Sequence, residues 1–184
     1  SRDVPMNNDS SLVKNSIPIY TLALAAFATL LLSASFSPRA NEPVAEQIVA
    51  INALLDGLHK DAASAQFDDY FNRYTPDAVF LGTDKDERWT IPEFKAYAKP
   101  VFDDGRGWTY QVVERHLEGT GEIRWFDEVL DNEKLGHCRG TGVVLRTPAG
   151  WRIAHYALTM LVPNSIAAEV GKQTQSAEGL DAEQ

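Results

Sequence analysis

Apolar residues recur at steps of four and three through Val44, Ile48, Ile51, Leu55, Leu58 and Ala62. That spacing makes one stripe of an amphipathic helix and predicts an element over about residues 43–65. A short second helix is expected over 67–74. Thr75-Pro76-Asp77 reads as a turn, and Val79-Phe80-Leu81 as a short strand that Gly82 ends. Thr90 and Glu93 stand at capping-box spacing, so a helix carrying Phe94, Tyr97 and Ala98 should start there. It should stop before Pro100, which supplies no backbone N–H. After Gly107 the period falls to two, and strands are expected over 108–118, 122–130, 135–147 and 151–162. Their short connections predict antiparallel hairpins. Helices first and a strand meander second make an α+β domain.

Loop lengths suggest registers. A loop at 148–150 pairs Leu145 with Ile153, Val143 with His155 and Arg139 with Thr159, and sets Arg146 and Arg152 together on the other face. A loop at 131–134 pairs Leu130 with Leu135, Glu128 with His137 and Phe126 with Arg139. A loop at 119–121 pairs His116 with Arg124 and Glu114 with Phe126. One face then carries Trp108, Tyr110, Val112, Phe126, Leu130, Val143, Leu145, Trp151 and Ile153. Glu114, His116, Arg124, Glu128, His137, Arg139 and His155 sit among them. A mostly apolar concave face with a few convergent ionisable groups is how small-molecule sites are built.

The ends of the chain read differently. Ile17 to Leu32 carries no charge, Lys14 precedes it, and Ser33-Ala34-Ser35 supplies small residues for cleavage after Ser35. Residues 1–40 therefore read as a signal peptide or an N-terminal membrane anchor, since a run of this length can span a bilayer as a helix. Either makes the protein exported, periplasmic or secreted. The domain is expected over 41–168. The polar residues 169–184 read as a disordered tail.

Composition narrows the classes. With 17 Lys+Arg against 26 Asp+Glu the net charge is −9, which disfavours nucleic acid as a partner. A hydrophobic content of 44% supports a packed core. The single cysteine, Cys138, excludes an intramolecular disulfide and a four-thiolate zinc site. HExxH, CxxC and G-x-S-x-G spacings are absent, so neither a resident metal nor a serine hydrolase is expected, and no cofactor.

Several short motifs occur in order: Phe80-Leu81-Gly82-Thr83-Asp84, Glu87-Arg88-Trp89, Gly107-Trp108-Thr109-Tyr110, Glu114-Arg115-His116 and Trp125-Phe126-Asp127-Glu128. Arg139-Gly140-Thr141-Gly142-Val143 and Gly150-Trp151-Arg152-Ile153-Ala154-His155-Tyr156 follow, closing on Pro163-Asn164. Together they resemble SnoaL-like domains of the nuclear transport factor 2-like superfamily, over about residues 43–168. The resemblance implies a cone: a curved antiparallel sheet packed against about three helices and enclosing a pocket. It also implies a homodimer formed through the sheet. Isomerases, dehydratases, cyclases and non-catalytic binding modules share that fold, so it does not name a reaction.

The candidate chemistry lies on the expected concave face. Glu114 and Glu128 suit acid/base work, because an apolar cone raises a carboxyl pKa; an ion pair with Arg139 or Arg124 is the structural alternative. His155 and His137 suit proton transfer, or are hydrogen-bonded core residues. Arg139 suits a ligand carboxylate or enolate, or pairs with Glu128 or Glu114. His59, Tyr74, Trp89, Tyr110 and Phe126 are expected to line the pocket. Cys138, with Gly136 and Gly140, is expected on the opposite face. The expected function is an exported domain binding a small, largely apolar molecule. The alternatives are an acid/base enzyme of isomerase, dehydratase or cyclase type, and a dimeric interaction module.

Overall fold

The computed structural model describes residues 43–179. The chain divides into two units, Ser1–Asn41 and Glu42–Gln184. The expected signal or anchor over 1–40 lies outside the described residues. No helix among the described residues is long and apolar enough to cross a membrane.

Helix α1 spans Val44–Ala63 and buries Ile51, Leu54, Leu55, Leu58 and Ala62, while Val44 and Ile48 near its start stay exposed. A single turn, α2, spans Phe67–Phe71 and ends three residues earlier than its pattern predicts. Strand β1 spans Tyr74–Leu81 and β2 spans Arg88–Thr90. Thr75-Pro76-Asp77 therefore lies inside a strand. Its turn chemistry shows as an irregular register against the neighbouring strand between Tyr74 and Val79, where Pro76 has no ladder donor.

Helix α3 spans Ile91–Asp103. Glu93 Oε2 accepts from the Thr90 backbone N–H at 2.8 Å and from the Thr90 hydroxyl at 2.7 Å, which satisfies a donor at the start of the helix. Pro100 does not end it. Phe102, 4% exposed, fixes the last turn in the core, and the Gly105 N–H closes on the Phe102 carbonyl at 2.9 Å. That anchoring outweighs the one intrahelical bond that proline removes.

Strands β3 (Gln111–Thr120), β4 (Ile123–Asn132), β5 (Gly136–Thr147) and β6 (Gly150–Met160) complete a six-stranded sheet in the order β2-β1-β6-β5-β4-β3. Every pair is antiparallel except β1–β6, which is parallel. The architecture is the expected α+β cone. A helix α4 spans Ala167–Ala177, most of it in the stretch from 169 expected to be disordered. Good helix formers allow it, and it buries no residue.

The hairpin registers differ from expectation. Arg115 pairs with Glu128 and Leu117 with Phe126, because the β3–β4 turn is only Gly121-Glu122 and Gly119 and Gly121 adopt φ of +88° and +72°. Glu128 pairs with Gly140 and Val129 with Arg139, because the β4–β5 turn is Glu133–Leu135 and Gly136 takes φ +71°. Both slips are odd, so each moves a whole set of side chains to the other face. The β5–β6 turn is also one residue tighter than expected, pairing Leu145 with Arg152 and Arg146 with Trp151. Arg146 and Arg152 thus lie on opposite faces. A bulge between Val143 and Val144 then restores the expected Val143–His155 and Arg139–Thr159 pairs.

Candidate functional site

The concave face of the sheet carries Arg115 and Leu117 from β3, and Arg124, Phe126, Glu128 and Leu130 from β4. Cys138, Gly140, Gly142 and Val144 come from β5, and Trp151, Ile153, Tyr156 and Leu158 from β6. The bulge at Ala154 lets Ile153 and Tyr156 both face inward. Phe80 and Tyr74 add to this face from β1. Helices α1 and α3 close over it.

Two glycines set its interior shape. A Cβ at Gly140 would run into the Tyr156 hydroxyl and come within 3.1 Å of Glu128 Cγ. A Cβ at Gly142 would stand 2.6 Å from the Phe126 ring. The space lets Tyr156 lie across β5 and reach Glu128 on β4.

Glu128 is fully buried and accepts three hydrogen bonds. His59 Nε2 lies 2.8 Å from Oε1, the Tyr156 hydroxyl donates to Oε1 at 2.9 Å, and Arg115 Nε donates to Oε2 at 2.8 Å. Arg115 also donates from Nη1 to Asp56 Oδ1 at 2.8 Å and to Asn52 Oδ1 at 3.2 Å, both on α1. Burial pushes the Glu128 pKa up, but the His59 and Arg115 contacts outweigh it and leave the carboxyl below its ordinary value. A carboxylate held by three donors is a poor proton acceptor. Tyr156 is pushed well above its ordinary value, first by burial and then by the Glu128 charge, so it stays a neutral donor.

A cavity of about 500 Å³ opens beside this cluster. Phe80, Trp89, Phe94, Tyr97, Trp108, Tyr110 and Leu158 form its walls, and Glu87, Glu133 and Lys134 stand at polar positions on it. Several rings are nearly parallel: Phe80 with Trp89 at 11°, Trp89 with Phe94 at 15° and Phe94 with Trp108 at 16°. Asn132 Nδ2 donates to the Thr109 carbonyl at 2.9 Å and so ties the β4–β5 hairpin to the 107–110 wall, which is not strand as expected. A narrow space of about 20 Å³ lies between this cavity and the cluster, lined by Leu58, His59, Ala62, Tyr70 and Tyr156. It shares Phe80, Trp108, Tyr110 and Leu158 with the larger cavity.

The predicted residues divide by face. His59, Trp89 and Tyr110 reach the two spaces, and burial pushes the Tyr110 hydroxyl up to about 12. Tyr74 lies in the core with its hydroxyl 3.1 Å from that of Tyr70, and Phe126 packs against Tyr156 at 5.7 Å between ring centres. Glu114, His137, Arg139 and His155 are corrections: the register slips, and for His155 the bulge at Ala154, put them on the convex face. Glu114 is exposed beside His116, His137 pairs with Asp131, and Arg139 is exposed opposite Thr159. Cys138 is also corrected, since it is fully buried on the concave face, where burial raises its pKa. The registers expected from loop length single out neither Arg115 nor Tyr156. Among the described residues no three His, Cys, Asp or Glu side chains gather as metal ligands.

Residues 51–163 match the model of the SnoaL-like domain family. No curated protein matches the chain. Among solved structures, a candidate dehydratase of the nuclear transport factor 2-like family from Streptomyces avermitilis is similar at TM-score 0.58 and 11% identity, over 66% of this chain and all of its own. A candidate aromatic ring hydroxylase from Novosphingobium aromaticivorans is similar at TM-score 0.56 and 18% identity, over 67% of this chain and 94% of its own. A protein of cystatin-like fold from Nostoc punctiforme is similar at TM-score 0.55 and 13% identity, over 67% and 97%. At these identities the likeness shows the fold.

Proposed function

Because the chain belongs to the SnoaL-like domain family, we propose that it binds a small, largely apolar molecule with a flat ring system in the aromatic cavity. The observation that carries this reading is the space of about 500 Å³ walled by near-parallel rings. A volume of that order accommodates a drug-sized molecule, and offset stacking on such walls is worth about 0.5–1.5 kcal/mol per ring pair beyond burial. Lys134 and Glu87 offer one charge of each sign to polar substituents. The open cavity supports ligand binding over a pure interaction module, in which side chains would fill the cone. Export stays part of the reading and rests on the apolar run from Ile17 to Leu32. N-terminal sequencing of the protein from its host tests it: a start at Phe36 supports cleavage, and a retained run points to an anchor.

Native mass spectrometry of the protein purified gently from its host, set against the denatured mass, tests the pocket. We expect a non-covalent adduct that Trp89→Ala weakens by at least about tenfold, since Trp89 supplies one wall. An adduct held equally well by Trp89→Ala overturns the assignment. So does a protein with no adduct whose tryptophan fluorescence no planar aromatic probe quenches saturably.

A further inference from the structure

We propose that His59 and Glu128 form a proton-transfer pair at the foot of the cavity. His59 takes or gives the proton, and Glu128 positions it. The proposal rests on reading the cavity as a binding site.

Glu128 is fully buried, lies below its ordinary pKa and accepts from Arg115 and Tyr156 as well as from His59. Facing an anion at 2.8 Å, His59 Nε2 must carry the hydrogen. In the neutral ring the lone pair then sits on Nδ1, and no hydrogen bond from the described residues occupies it. This is the arrangement in which a carboxylate fixes a histidine tautomer and stabilises the imidazolium that forms on protonation. The groups around the ring are Glu128 from β4, with Tyr156 bonded to the same carboxylate oxygen, and Tyr110; Arg115 from β3 stands behind Glu128 and bonds Asp56 on the helix of His59.

Access comes next. His59 lines the narrow space of about 20 Å³ whose walls Phe80, Trp108, Tyr110 and Leu158 are shared with the cavity. That space holds about one water, or the reacting edge of a bound molecule. A proton can therefore pass between His59 and a cavity ligand directly or across one water.

Among the described residues no other histidine that reaches either space is paired with a carboxylate in this way. Glu128 is held by three donors, Cys138 is buried with a raised pKa, and His116, His137 and His155 lie on the convex face. The structure thus assigns the cavity a reaction class: removal of an acidic C–H or O–H proton from a planar, largely apolar substrate.

The test uses 5-nitrobenzisoxazole, a flat molecule that needs only a base. His59 takes the proton from C3, the freed electron pair closes a nitrile, and the N–O bond breaks to leave a coloured phenolate. We expect saturable quenching of tryptophan fluorescence and turnover that falls about 100-fold in His59→Gln. In Glu128→Gln we expect kcat to fall at least about tenfold with KM little changed. Nitrogen-15 spectra of the wild-type imidazoles give a readout that needs no substrate. They should show His59 as the Nε2–H tautomer, and Glu128→Gln should give a mixture of tautomers, whereas the fall in kcat at little-changed KM is what a merely structural role would not produce. Binding with turnover no faster than His59→Gln overturns the pair and leaves the cavity standing. Failure to bind overturns the cavity reading, and the tautomer then decides the pair: an Nδ1–H ring overturns it.

Discussion

Replacing Arg115 with methionine keeps the aliphatic stem inside the cone and removes the charge that faces Glu128. Arg115 is 7% exposed at its side chain and Glu128 is 0% exposed, so the lost contact is a buried one. Removing one partner of a buried ion pair costs about 3–5 kcal/mol, because the other charge is left uncompensated. His59 and Tyr156 still hold Oε1, so the low end, about 3 kcal/mol at pH 7, is expected. The Asp56 contact adds little, since that side chain is 67% exposed. For a domain of this size the melting temperature should fall by about 10 °C. The pH dependence is more specific than the magnitude. In the wild type Glu128 lies below its unfolded value, so its contribution is present above about pH 4.3 and is lost as pH falls through the folded pKa. In Arg115→Met burial is less opposed, and the carboxyl protonates at a higher pH. The deficit must then shrink as pH falls from 7 toward 4. Urea denaturation at pH 7 and at pH 4.5 measures both values. An equal deficit at the two pH values, or one under about 1 kcal/mol at pH 7, would refute the account of an ionised Glu128 held by Arg115.

Other changes probe the same geometry. Gly140→Ala drives a methyl into the Tyr156 hydroxyl and should cost about 1–3 kcal/mol in thermal denaturation. Tyr156→Phe leaves Glu128 Oε1 with His59 alone and should cost about 1–3 kcal/mol in urea. Phe102→Ala should cost about 3–5 kcal/mol, and amide exchange should quicken first over residues 100–103, whose helical turn that ring anchors past Pro100. Arg139→Ala and Glu114→Gln lie on the convex face and should stay within about 0.5 kcal/mol of wild type with probe binding unchanged; weaker binding in either would contradict the registers.

The elements were legible because they rest on local patterns. The Leu55-Leu58-Ala62 stripe gives α1, and the Thr90–Glu93 pair gives the start of α3. The site was less legible because it rests on register, and register was read from loop lengths. Glycines at positive φ made two turns one residue tighter than expected and slipped each register by three, moving Glu114 and Arg139 out and Arg115 and Cys138 in. Alternation within the strands held the better signal. In β5 the set Cys138, Gly140, Gly142, Val144 is small or apolar, whereas His137, Arg139 and Thr141 are polar. In β3, Glu114, His116, Glu118 and Thr120 form the polar set and leave Arg115 and Leu117 to face inward. Where both signals exist, the buried face should be chosen by alternation and the turn adjusted to fit. The parallel β1–β6 contact has no comparable local mark, since it joins strands about 75 residues apart in the chain.

The same glycines bear on why a charged cluster sits in the core at all. Arg115, Glu128 and His59 could be exchanged for apolar residues of similar volume, and buried ion pairs are often no more stabilising than such replacements. The cone nevertheless leaves Gly140 and Gly142 bare so that Tyr156 can cross a strand and add a further donor to Glu128. Backbone space, a tyrosine hydroxyl and a guanidinium all serve to keep one carboxylate ionised behind one histidine. Of the cluster, His59 and Tyr156 line the small space that shares walls with the cavity, and the His59 side chain is only 11% exposed. Packing alone calls for none of these arrangements, whereas control of the proton on His59 calls for each of them.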